Sequence, residues 1–188
     1  MTYALKNVFY LGFAQEYTNS YSAAQQSVQP IDVSAYVDPI SKGRTRGQGL
    51  AVYRVHQSVT SETGAPCSAT ETGNMGMGLS VKPFTTTGEQ ITGTIQLGDL
   101  TPDSDLLIHA SNFQGAASSA PGGSAGIVQT VCEPSDEVPY VVVRDTIFSI
   151  MSTSTAFNAD IRNAYRMECA MISLDTATLN QLLRTQTA

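Results

Sequence analysis

The chain reads as an all-β protein: an eight-stranded antiparallel sandwich of the jelly-roll kind, with an N-terminal arm and a short C-terminal helix. Three observations predict this. Apolar residues recur at a period of two along most of the chain beyond residue 30. The segments that show the period are short and bounded by Gly, Pro, Ser, Asn and Asp, with almost no helical pattern between them. Eight such segments occur, the number that two jelly-roll sheets require. The chain of 188 residues divides into an amphipathic or aromatic arm over 1–27, a β-sandwich over 28–174, and a helix and tail over 175–188.

The elements follow in order. Leu5, Val8, Phe9, Phe13 and Tyr17 fall at i, i+3, i+4, i+8 and i+12, a helical apolar stripe. Gly12 argues against the helix, and a strand over 7–13 competes with it. Six of the fourteen aromatic residues lie between Tyr3 and Tyr21. Residues 18–29 are small and polar and read as a linker. Ile31, Val33, Ala35 and Val37 then alternate with Asp32, Ser34 and Tyr36 until Asp38-Pro39 stops the run. A basic, Gly-rich loop over 41–49 precedes the clearest strand, 50–60, which is β-branched and aromatic. A polar loop over 61–74 comes next. Strands are predicted around Met77 to Val81, over 90–98 (Ile91, Ile95, Leu97), over 106–113, over 127–132 and over 138–151. Phe157 and Ile161 suggest one helical turn. Tyr165, Met167, Cys169 and Met171 alternate in a last strand ending near Leu174. Asp175 then caps a helix carrying Ala177, Leu179, Leu182 and Leu183.

Composition excludes several functions. The formal net charge is −6 and the pI about 4.7, so the overall field repels phosphate and no specific nucleic-acid binding is expected. No run of 18 apolar residues exists to form a membrane-spanning helix. The start of the chain has a short apolar run but no small-residue cleavage site, so no signal peptide is expected. Charged residues make up only 14%, while 19 Ser and 21 Thr supply a neutral, hydroxyl-rich surface with three Lys.

Catalytic and metal-binding patterns are sparse. Asp99, Asp103 and Asp105 share a loop, but their spacing fits no calcium-binding loop and a polar turn is expected. The two histidines, His56 and His109, each fall inside a predicted strand, and no GxSxG elbow supplies a nucleophile. Cys67, Cys132 and Cys169 have no zinc spacing. Three reduced thiols are expected, with a Cys67–Cys132 bridge as the alternative. The chain is therefore read as a non-enzyme with no metal and no cofactor. An immunoglobulin arrangement is disfavoured by the absence of Trp and of a flanking Cys pair.

Two charged loops stand out. Lys42, Arg44 and Arg46 cluster before the strongest strand, with Arg54 just beyond, and Glu133, Asp136 and Glu137 form the most acidic loop. They are natural complements, within the chain or between copies. Together with Leu5, Val8, Phe9, Phe13 and Tyr17 of the arm they make up the expected subunit interface.

On its strands at 31–37, 50–60, 138–151 and 165–174, its neutral loops and its flanking arm, the chain resembles the small single jelly-roll coat proteins of icosahedral viruses. The resemblance covers residues 28–174. It implies a structural subunit of a self-assembling particle, located in the virion, whose partners are copies of itself and other virion proteins. The arm lacks the Arg/Lys run with which many such coats neutralise a genome. An apolar arm would instead lock into a neighbour or touch an internal membrane. Phage tail, fibre and decoration proteins share the composition. The alternative function is a carbohydrate-binding β-sandwich, with Tyr36, Tyr53 and Tyr140 standing in for the absent Trp.

Overall fold

The computed structural model describes residues 8–17, 26–38, 46–61, 73–82, 105–115, 127–153 and 160–187. They form nine strands and one helix: β1 (Val8–Tyr17), β2 (Gln26–Asp32), β3 (Arg46–Ser61), β4 (Gly73–Ser80), β5 (Leu107–Gly115), β6 (Ile127–Cys132), β7 (Tyr140–Val142), β8 (Thr146–Thr153), β9 (Ile161–Asp175) and α1 (Thr176–Thr187). All pairings are antiparallel. One sheet has the order β1-β9-β3-β7 and the other β2-β8-β4-β5-β6.

This order is a jelly roll. With β6 set aside, the strands pair as one long folded hairpin: first with last (β1–β9), second with second-last (β2–β8), third with third-last (β3–β7), and the middle two together (β4–β5). Bending that hairpin brings β9 beside β3 and β8 beside β4, which closes two four-stranded sheets. β6 adds an edge strand to the second sheet through β5.

Several expectations are corrected. The N-terminal segment, open between a helical stripe and a strand over 7–13, is strand β1, in unbroken register with β9 from Val8↔Ala170 to Tyr17↔Ile161. Its Phe9, Leu11 and Phe13 alternate inward, so the period that decides is two. The strand expected at 31–37 ends at Asp32, whose carboxylate accepts the Ser34 amide at 2.8 Å and starts a turn over 34–36. The long run 138–151 is broken between β7 and β8, where the Asp145 carbonyl accepts the Val33 amide. The helical turn expected to include Ile161 is not formed there, since Ile161 opens β9. The strand expected at 90–98 lies outside the described residues. Cys132 and Cys169 are free thiols, so Cys132 is not bridged.

A β-bulge in β3 between Val52 and Arg54 explains why that strand carries apolar groups on both faces. Leu50 and Val52 point into the sandwich; beyond the bulge Val55, Gln57 and Val59 do so instead, which turns Arg54 and His56 outward. The interior holds two apolar clusters. One gathers Val33, Leu50, Val52, Leu79, Ile108, Ile147 and Met167, and the other Met75, Met77, Phe113, Met151 and Ile161. α1 lies on the outside of the first sheet, with Leu179, Leu182 and Leu183 against Val143, Ile172 and Leu174. Gly49 is needed beneath it: a Cβ there would stand 2.9 Å from Leu174 Cδ1 and 3.2 Å from the Val142 carbonyl.

Candidate functional site

A sheet edge is a row of unpaired backbone donors and acceptors, and native chains blunt such rows with Pro, bulges, shortness or covering groups. This sandwich has four edges among its described residues: β1 and β7 in one sheet, β2 and β6 in the other. Three are blunted. β7 is three residues long, and the Gln186 side chain from α1 occupies its outer rim: Nε2 donates to the Val141 carbonyl at 2.6 Å, and Oε1 accepts the Val143 amide at 3.1 Å. Arg144 fastens the same turn of helix by donating to the Gln186 carbonyl at 3.0 Å. β2 carries Pro30, opposite Phe148, and a Pro withholds a ladder donor. β6 has six residues, and its register with β5 shifts between Ala110 and Ser111.

β1 has none of these devices. It runs ten residues with no Pro, no Lys and no bulge, and Glu16 is its one charge. No described residue pairs with its outer rim. Its outward side chains include Val8, 40% exposed, and Tyr10, 52% exposed. Its inward aromatic residues are only partly buried. Phe9 stacks on Tyr36 with ring centroids 5.0 Å apart, and Phe13 tilts against Tyr165 at 5.2 Å.

Beside this edge the outer face of the sheet is polar. The Arg166 guanidinium sits 3.9 Å from the centroid of the Tyr10 ring, a cation–π contact. His56 Nε2 meets Glu168 Oε1 at 2.9 Å, and Arg54 meets Asp136 at 3.2 Å with both side chains nearly half exposed. Such surface pairs contribute about 0.2–1 kcal/mol each, so they orient more than they hold.

Inside the sandwich a polar layer crosses between the two apolar clusters. Gln57 Nε2 donates to Asn163 Oδ1 at 2.9 Å, and Gln57 Oε1 lies 3.1 Å from His109 Nε2. An amide oxygen only accepts, so Nε2 carries the ring proton. Ser149 donates to Gln15 Oε1 at 2.5 Å, and Gln15 Nε2 donates to Ser27 at 2.8 Å. His109 is 1% exposed. Burial lowers its pKa to about 4, so the ring is neutral. The layer ties β1, β2 and β8 together, and β3, β5 and β9. His109 faces Tyr165 edge-on at 5.9 Å, so its perturbed titration comes from the core.

The residues expected at an interface are placed as follows. Val8 is exposed on β1. Phe9 and Phe13 pack on their own chain's core and are partly buried. Tyr17 ends β1 opposite Ile161. Arg46 is exposed and lies opposite Asp175 across β3 and β9. Glu133, Asp136 and Glu137 are exposed, and the acidic loop meets Arg54 through Asp136. Leu5, Lys42 and Arg44 lie outside the described residues. Of the tyrosines considered for sugar stacking, Tyr36 is engaged by Phe9. Tyr140 donates to the Asp105 carbonyl at 2.8 Å, and Tyr53 is half-buried at the bulge. Sequence reasoning missed Tyr10, Arg166, Pro30 and Gln186. Pro30 carried a usable signal, since a Pro inside an alternating run marks an edge.

No family model and no curated protein matches this chain. Among solved structures it is similar to Merkel cell polyomavirus VP1 in complex with disialyllactose, with a TM-score of 0.44 and 9% identity, covering 93% of this chain and 98% of that one.

Proposed function

We propose that this protein is a structural subunit of a self-assembling particle, a viral capsid or other virion protein, acting through contacts between copies of itself. The observation that carries the reading is the β1 edge. A chain that blunts three of its described edges and leaves the longest open presents it for pairing. The jelly-roll topology is a frequent host of capsid domains, which supports the reading by analogy. The Lys-poor, hydroxyl-rich surface supports it too, because Lys is depleted where proteins meet. In the same reading Lys42, Arg44 and Arg46 meet Glu133 and Glu137 of a neighbouring copy. The carbohydrate-binding alternative is weaker, because Tyr36 and Tyr140 are engaged within the chain.

The test is light scattering on a size-exclusion column with negative-stain microscopy of the same fractions. Wild type forms rings, sheets, shells or a defined oligomer. Val8→Lys with Tyr10→Lys, both on exposed side chains, keeps the β circular-dichroism spectrum and shifts the population to monomer. A wild-type chain that stays monomeric at high concentration overturns the reading.

A further inference from the structure

We infer that β1 pairs with β1 of a second copy, antiparallel about a two-fold axis through Gly12, so that the two four-stranded sheets fuse into one of eight strands. This rests on the assembly reading above and specifies its contact. Side-chain alternation restricts the register. In an antiparallel pair directly opposed residues share a face, and a continuous sandwich needs both copies to keep their apolar residues on the inner side. The axis must therefore pass through a residue, not between two.

Placing it at Gly12 overlaps residues 8–16 of both copies. It sets Leu11 of each copy opposite Phe13 of the other, twice, on the inner face. Both side chains are only partly buried in the single chain and would be covered from the open side. On the outer face Tyr10 lies opposite Ala14, large against small, on either side of a glycine. Glu16 of the second copy then stands diagonal to Tyr10, whose ring holds Arg166 at 3.9 Å, so each end of the seam sets a carboxylate beside a cation. In this register Gln15, buried and bonded to Ser149 and Ser27, faces Phe9; moving the axis to Phe13 would set Phe13 against itself and Leu11 against Gln15, and moving it to Leu11 would shorten the overlap to residues 8–14.

Gly12 also offers the test. A Cβ built there meets only the Tyr165 carbonyl, at 3.7 Å, an ordinary contact, so a side chain is accommodated. On the axis, residue 12 faces its own copy within the Cα separation of about 4.4–6.8 Å that a disulfide spans. The experiment uses the full chain carrying Gly12→Cys, with Cys67→Ser and Cys132→Ala and the buried Cys169 retained. It is oxidised mildly and read on a non-reducing gel with peptide mass spectrometry. A covalent dimer joined at position 12 is expected, with Ala14→Cys alone giving none and Tyr10→Cys with Ala14→Cys restoring it. Hydrogen exchange on the unmodified chain provides an independent reading: β1 amides slow at least tenfold on association. Particles that form without the position-12 bond and without β1 protection overturn the two-fold while leaving the assembly reading standing. A chain that never associates overturns both.

Discussion

His109 is the residue whose burial has the clearest consequence. In the folded chain its pKa is held near 4, against 6.5 for the free side chain. As pH falls through 6.5 the unfolded chain takes up a proton that the folded chain refuses. The stability this residue supplies is therefore complete above about pH 6.5, declines through the window, and is gone below about pH 4. The loss is about 3 kcal/mol by linkage. Urea midpoints measured from pH 7 to pH 4 should fall, and His109→Gln, which cannot titrate, should fall less over the same range. A parallel slope in the variant would show that other groups carry the acid sensitivity. Asp175 acts at the opposite end of the scale of burial. Fully exposed, it accepts the Thr178 amide at 2.8 Å as the cap of α1, and that bond holds its carboxyl below the usual range.

At the scale of elements, the edges decide behaviour. Pro30 keeps β2 from pairing outward, so Pro30→Val should restore a ladder donor and give a second sticky edge. Faster aggregation by light scattering at equal concentration is the expected outcome, and unchanged kinetics would mean that something else covers β2. Gln186 guards β7 from the other side. Gln186→Ala leaves the Val143 amide and the Val141 carbonyl without their partner. It should loosen α1, seen as faster hydrogen exchange over 176–187 with the rest of the sandwich unaffected. Neither device is available to β1, which is why charge at Val8 and Tyr10 is the informative perturbation there.

At the scale of the molecule, the first described strand pairs with the last, Val8 with Ala170. Closure of so long a loop is entropically costly and makes folding slow relative to local folds. It also changes what a truncation means. Deleting residues 1–17 removes an arm from the sequence but a strand from the structure, with the Phe9–Tyr36 and Phe13–Tyr165 contacts and the Gln15 bonds. That deletion should cost roughly 3 kcal/mol or more and lower the melting temperature of the monomer itself. Point charges on the exposed side chains separate assembly from folding where the deletion does not. A truncated chain with an unchanged melting temperature would show that β1 is dispensable to the fold.

The sequence by itself determined the class of the molecule. A period of two in Tyr165 to Cys169 and the β-branched and aromatic run from Leu50 to Thr60 require strands, and Asp175 ahead of spaced leucines requires a capped helix, because such patterns act over a few neighbouring residues. It left β1 undecided between helix and strand. Val8, Phe9 and Phe13 fit a helical stripe, and only the presence of β9 alongside makes alternation the pattern that buries Phe9, Leu11 and Phe13. Strand order, the bulge that turns Arg54 and His56 outward, and the open edge at β1 were decided by the tertiary structure alone. An edge is a relation between strands far apart in the chain. Whether its donors and acceptors are paired depends on which strand, Pro or Gln186 reaches them, and no local spacing records that.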